Sequence, residues 1–135
     1  MNFVALDVET ANADISSICQ IGIAKFEDNK LIEEWCSLID PEDYFSPINI
    51  YIHGITETDV EGSPNICEIA QKIYGYLDGV LTVCHTHFDR VSISKAFDKY
   101  DIRIPEPKWL DTARIARRTW KEISCSGYGL KNVCE

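Results

Sequence analysis

Phe3-Val4-Ala5-Leu6-Asp7-Val8-Glu9-Thr10 begins with four apolar residues and ends in alternating acids. An unbroken apolar run of this length is the pattern of a strand covered on both faces, and it is read here as the central strand of a sheet. Two further β-rich runs follow, Ile18 to Phe26 and Leu31 to Ile39, separated by the polar hairpin-length turn Glu27-Asp28-Asn29-Lys30. The chain is therefore expected to open with three antiparallel strands. Pro41 to Ile52 reads as a polar and aromatic connection, and Thr56-Glu57-Thr58-Asp59 as a short capped turn. Ser63-Pro64 predicts an N-cap with proline at the first helical position. Behind it, Ile66, Ile69, Ala70, Ile73, Tyr74 and Leu77 recur at helical spacing and form one apolar stripe.

Asp78-Gly79 stops that helix, and Val80-Leu81-Thr82-Val83-Cys84 reads as a short buried strand. A helix is expected after Asp89 with Ile93, Phe97 and Tyr100 inward, then the loop Ile104-Pro105-Glu106-Pro107 and a last short strand at Trp109-Leu110. Asp111 to Trp120 predicts a helix with Ala113, Ala116 and Trp120 on one side. The order β-β-β-α-β-α-β-α implies an α/β fold, a mixed sheet flanked by helices. After Gly127-Tyr128-Gly129, Leu130, Val133 and Cys134 begin an amphipathic pattern that is cut off at Glu135, so residues 1–135 are read as the N-terminal portion of a longer protein.

The composition bounds the function. A length of 135 residues fits one domain, and 45% hydrophobic, 26% charged and 10% aromatic residues describe an ordinary globular chain. No apolar run approaches the roughly 20 residues of a membrane span, and the first residues lack the basic flank of a signal peptide. No membrane association and a cytoplasmic location are expected. Thirteen Lys and Arg against 22 Asp and Glu give a formal charge of -9, which argues against broad electrostatic binding to a phosphate backbone. Nucleic-acid contact is then local or metal-mediated. The cysteines at 19, 36, 67, 84, 125 and 134 contain no C-x-x-C pair and read as reduced thiols.

Asp7 and Glu9 stand two residues apart at the carboxyl end of the presumed central strand, so both side chains leave the same face. Spacing alone supports two readings: a pair that repels itself unless a hard divalent cation lies between, or two solvated acids at a strand end. Asp89 follows the buried strand through His85-Thr86-His87-Phe88, and in a mixed sheet that strand's carboxyl end lies beside the first strand's. Asp89 then joins the pair, caps the following helix, or does both.

These residues carry a resemblance. Phe3 to Thr10 resembles the first motif, hydrophobics followed by D-x-E-T, of DnaQ-like 3′→5′ exonucleases, the DEDD superfamily with a ribonuclease H-like fold and a mixed five-stranded sheet. Ile52-His53-Gly54-Ile55-Thr56 resembles that family's H-G-I-T loop, and His85-Thr86-His87-Phe88-Asp89 its second motif. Leu110-Asp111-Thr112-Ala113 and Tyr128-Gly129-Leu130 follow in family order, so the similarity covers essentially the whole chain.

The resemblance implies Mg²⁺ or Mn²⁺ as cofactor, two ions roughly 4 Å apart in the complete site. It makes Asp7 the bridging ligand, Glu9 a ligand of the ion that activates water, and Asp89 a ligand of the ion at the leaving 3′-oxygen. Thr10 resembles the position that holds the terminal nucleotide and His53 a substrate-binding residue of the loop beside it, and His87 is expected to line the substrate groove. The implied substrate is a single-stranded nucleic acid 3′ end, DNA in the first reading and RNA in the alternative, with a DNA polymerase subunit as an expected partner. A non-catalytic binding module is the alternative of another class, and the presence of all three acids disfavours it.

Two departures stand out. The second motif is one residue shorter than the family's H-N-A-x-F-D, with Thr86 in place of Asn. The third motif, H-x-x-x-x-D or Y-x-x-x-D, supplies the general base and the fourth carboxylate in the family. Here the residues five after His53, His85 and His87 are Thr58, Arg90 and Ser92, and the one Y-x-x-x-D, Tyr74 to Asp78, lies before the second motif. Residues 1–135 are therefore expected to form a single domain lacking the last helix of its fold and to be inactive or nearly so alone.

Three features are expected to be structural. His85 is read as a hydrogen-bonded residue at a strand end and Asp111 as a helix-start acid. Arg114, Arg117 and Arg118 are read as one solvated helix face.

Overall fold

The computed structural model describes residues 1–125 and 127–134. Five strands form one sheet in the order β3-β2-β1-β4-β5. They are β1 (Phe3–Thr10), β2 (Ile18–Glu27), β3 (Lys30–Leu38), β4 (Leu81–Cys84) and β5 (Lys108–Asp111). β1 is central, antiparallel to β2 and parallel to β4, and β5 continues the parallel half. The hairpin between β2 and β3 turns on Asp28 and Asn29, both with positive φ (49° and 62°), the backbone of a tight two-residue turn that matches strand twist.

Helices α1 (Pro47–His53), α2 (Glu57–Val60) and α3 (Ile66–Leu77) lie between β3 and β4. α4 (Phe88–Lys99) joins β4 to β5, and α5 (Thr112–Thr119) and the short α6 (Leu130–Cys134) follow β5. The mixed five-stranded sheet with flanking helices is the architecture the element order implied.

The core lies on one face of the sheet. Val4, Leu6 and Val8 of β1 join Ile21 and Ile23 of β2, and α3 and α4 cover them with Ile66, Ile73, Leu77, Ile93 and Phe97. A second cluster, Ala11, Cys19, Phe45, Ile55 and Val60, seats α1 and α2 beside the carboxyl end of β1.

Several expectations are corrected. β1 is not covered on both faces: Val4, Leu6 and Val8 are buried, while Phe3, Ala5, Asp7 and Glu9 are not. That second face floors an open groove of about 800 Å³ lined by Ala5, Asp7, Gly22, Ala24 and Val83. The segment read as a connection contains α1, for which Ser46 is the N-cap and Pro47 opens the helix. α3 is capped by Asn65 in a capping box with Glu68, not by Ser63. Trp120 ends α5 rather than packing from it and is 42% exposed.

Candidate active site

The chemistry-bearing residues meet where β1 and β4 end. β4 stops at Cys84, so the edge of β1 beyond it has lost its strand partner. Asp89 fills that place. Its Oδ1 accepts a hydrogen bond from the Val8 amide at 2.9 Å, across 81 residues of sequence and on the peptide that joins Asp7 to Val8. His87, the N-cap residue of α4, makes no capping bond, and Asp89 is the acid of the helix's first turn. From the first turn of α4 Asp89 thus also has a tertiary role, delivering a carboxylate to the central strand.

The three acids feel one another. Burial pushes Asp89 up to about 7 against the opposing Val8 amide, and the charges of Asp7 and Glu9 add to the rise. Glu9 is raised by burial and by Asp7, with His53 acting the other way. The Asp7 side chain looks into the open groove, yet the groove walls desolvate its carboxyl enough to raise it. No Lys or Arg is among the charges that shift these three groups. An all-oxygen donor set with uncompensated negative charge has the chemistry that a hard divalent cation requires. The coordination sphere is not preassembled: among the described residues no three His, Cys, Asp or Glu side chains stand as a ready cluster. The Asp89 Oδ1 is engaged by the Val8 amide.

β1 ends against α1. Asn49 Nδ2 donates to the Thr10 carbonyl at 2.8 Å and to its hydroxyl at 3.3 Å, and the His53 Nε2 lies 2.9 Å from the same carbonyl. His53 Nδ1 accepts from the Ile55 amide at 3.0 Å, so the ring is held with its proton on Nε2 and both nitrogens are engaged. Thr10 is only 4% exposed. Thr10 and His53, the residues expected at the terminal nucleotide and in the loop beside it, therefore stand together next to Glu9 and contact each other. Asn49 is the member that sequence reading missed. Its signal was the Ser46-Pro47 helix start, which places residue 49 one turn into a helix facing the end of β1.

The β4–α4 turn carries the shortened second motif. Thr86 has φ 70°, a left-handed backbone that a β-branched residue adopts only under constraint. Its amide donates to Asp111 Oδ1 at 3.0 Å, and its hydroxyl accepts from Phe88 N at 3.3 Å. Asp111 also accepts from the Ala113 amide, which makes it the helix-start acid that its position suggested. His85 is hydrogen-bonded at the strand end, to the Thr112 hydroxyl and the Tyr128 carbonyl, each at 2.8 Å. His87 is exposed and lines a second cleft beside the turn. The six cysteines are free thiols, with Cys19 pushed up to about 12 and Cys84 to about 11 mainly by burial.

A family model described as "Exonuclease" matches residues 4–135. The chain belongs to the DnaQ-like exonuclease family. The exonuclease domain is 30% identical over 136 residues to a DNA polymerase III PolC-type of Thermotoga petrophila, covering 98% of this chain and 10% of that protein. It is 27% identical over 130 residues to the PolC-type polymerase of Streptococcus agalactiae serotype III, covering 94% of this chain and 9% of that protein. The exonuclease domain thus spans about a tenth of the length of the curated relatives it matches.

Among solved structures, it superposes on an exonuclease X in complex with 5′ overhanging duplex DNA with a TM-score of 0.64 and 26% identity, over 87% of this chain and 64% of that one. A cell-death related nuclease 4 matches with a TM-score of 0.73 over 93% of this chain and 49% of that one, and at 16% identity it bears on the fold alone. Among the described residues of the exonuclease domain, no helix is long and apolar enough to cross a membrane.

Proposed function

We propose that this domain hydrolyses the terminal phosphodiester of a single-stranded DNA 3′ end, with divalent metal bound by Asp7, Glu9 and Asp89. The carrying observation is the docking of Asp89 onto the Val8 amide, which sets a third carboxylate against the strand segment that bears the other two. Bound Mg²⁺ or Mn²⁺ would lower the pKa of the attacking water and stabilise the departing 3′-oxygen. The chain's own contribution is to hold three oxygen donors at one strand end. Asn49 and His53 fix the end of β1 from the side of α1, and Thr10 ties that end to both. The groove beside Asp7 is open on the sheet face, and Gly22, paired with Asp7 across the strands, leaves it without an intervening side chain.

Among the described residues, the imidazole that acts on these acids is His53, and its two nitrogens are already engaged. With both nitrogens of that imidazole occupied, we propose that residues 1–135 turn over slowly by themselves. A missing general base typically costs about 10²- to 10⁴-fold in rate. A longer polypeptide that adds an H-x-x-x-x-D is proposed to be fully active. The PolC-type relatives support a setting in which such a domain serves a DNA polymerase.

Two measurements test the reading. A Mn²⁺ titration of residues 1–135 should show binding that Asp7→Asn and Asp89→Asn each weaken at least tenfold. A 5′-labelled oligonucleotide incubated with Mn²⁺ should shorten slowly from its 3′ end, and not at all with Asp7→Asn. Metal binding indifferent to both substitutions would overturn the proposal. Matched DNA and RNA oligomers decide the sugar.

A further inference from the structure

Four of the chain's five arginines lie on one cleft. Arg90, from the first turn of α4, faces Arg114, Arg117 and Arg118 of α5 across a cleft of about 580 Å³, with His87 at its edge. On a chain of formal charge -9 such a concentration is not the general surface. Nor is it neutralised locally. Among the described residues the ion pair within 4 Å is Lys25–Glu27, far away on the β2–β3 hairpin. The acid in the cleft, Asp111, has turned Oδ1 to the amides of Thr86, Ala113 and Arg114. The Arg117 guanidinium is stacked over Tyr128, 5.7 Å from the ring centroid, which braces it on the surface. Arg114, Arg117 and Arg118 are exposed on one helix, as the sequence suggested, and Arg90 and His87 join them from α4 and its N-cap.

The cleft adjoins the acids. Cys84 lines both it and the groove that contains Asp7, and Asp89 stands between His87 and Arg90 on the chain. We infer that this cleft holds the sugar–phosphate backbone of the nucleic-acid strand away from the end being cleaved. The inference rests on the proposed nucleic-acid substrate. It supplies what the acidic balance of the chain withholds: a local positive track for phosphates, beside a site that is itself strongly negative. Guanidinium groups suit phosphate oxygens because they donate in pairs from a rigid plane.

Binding of a fluorescent single-stranded 20-mer to residues 1–135, measured in EDTA so that no hydrolysis intervenes, tests it. The triple variant Arg114→Gln, Arg117→Gln, Arg118→Gln should bind roughly tenfold or more weakly. Its slope of log affinity against log salt should fall by roughly 2, at about 0.7 per lost phosphate contact on a single strand. The corresponding triple change to Lys should restore most of that slope. The control Lys25→Gln, Lys30→Gln, Lys72→Gln removes the same charge elsewhere and should have little effect. All the substituted arginines are exposed, so thermal melts of the variants should match the parent. An unchanged 20-mer affinity and slope in the Arg variant, or an equal loss in the Lys control, overturns the inference. So does polyglutamate binding as tightly as the 20-mer, which would make the cleft a dock for acidic protein. Failure of the metal-dependent shortening assay counts against the proposed reaction and leaves this binding result standing.

Discussion

Asp89 is held on the central strand by the Val8 amide, against its burial and the charges of Asp7 and Glu9. Its carboxyl is 4% exposed and raised to about 7, whereas in the unfolded chain it ionises near 3.8. The native state therefore binds more protons than the unfolded state between those values. Metal-free stability contributed by this group is present at pH 4 and is lost as pH rises through 7. Asp89→Asn keeps an acceptor for the Val8 amide and removes the charge. It should melt roughly 3–6 °C above the parent at pH 8 without metal, with the gap closing by pH 4.5, while Mn²⁺ binding is lost. Thermal melts at the two pH values check the sign. The strained Thr86 offers a second test. Asn tolerates a left-handed backbone and still presents a side-chain oxygen to Phe88 N, so Thr86→Asn should stabilise by about 0.5–1 kcal/mol. No gain in a denaturant titration would show that the turn is relaxed as it stands.

At the scale of elements, the sheet was legible in the sequence because strand signals are local: apolar runs, a polar turn of the right length, acids where a strand meets solvent. The helices between β3 and β4 were less so. Ser63-Pro64 and Ser46-Pro47 are the same dipeptide, and only the second begins a helix, because Asn65 and Glu68 form a better capping box two residues after the first. The acids of β1 were readable from alternation. The Asn49 bridge to Thr10 was not, since it joins residues 39 apart and depends on where α1 is packed. Removing it tests what α1 is for. Asn49→Ala leaves the carbonyl of the buried Thr10 with one donor fewer and should cost about 1–3 kcal/mol, read from chemical denaturation. Gly22 separates stability from function on the strand itself. Its φ is not in the left-handed region, and a Cβ there meets only the Asp7 carbonyl, at 3.9 Å, an ordinary contact. Gly22→Val should leave stability equal or raise it by up to about 1 kcal/mol, since glycine is a weak strand residue. The same side chain would intrude beside Asp7, so Mn²⁺ binding and oligonucleotide shortening should both decline.

Over the whole molecule the charge is segregated rather than balanced. Acids dominate the surface and the β1 end, the arginines gather on one cleft, and a surface pair such as Lys25–Glu27 contributes little to stability. A net charge of -9 on 135 residues makes the folded state repel itself more than the expanded chain does. Screening relieves that repulsion. Raising NaCl from 10 to 150 mM shortens the Debye length from about 30 to about 8 Å, so the melting temperature of residues 1–135 should rise by a few degrees. Oligonucleotide affinity should fall over the same range, because the arginine cleft acts through attraction that the same ions screen. MgCl₂ at matched ionic strength should raise the melting temperature further than NaCl, since a divalent ion among Asp7, Glu9 and Asp89 removes the local repulsion as well as the general one. That excess should vanish in Asp7→Asn while the NaCl response persists. Equal responses to the two salts in the parent would mean that the three carboxylates do not capture the ion, whatever the nuclease relatives do with theirs.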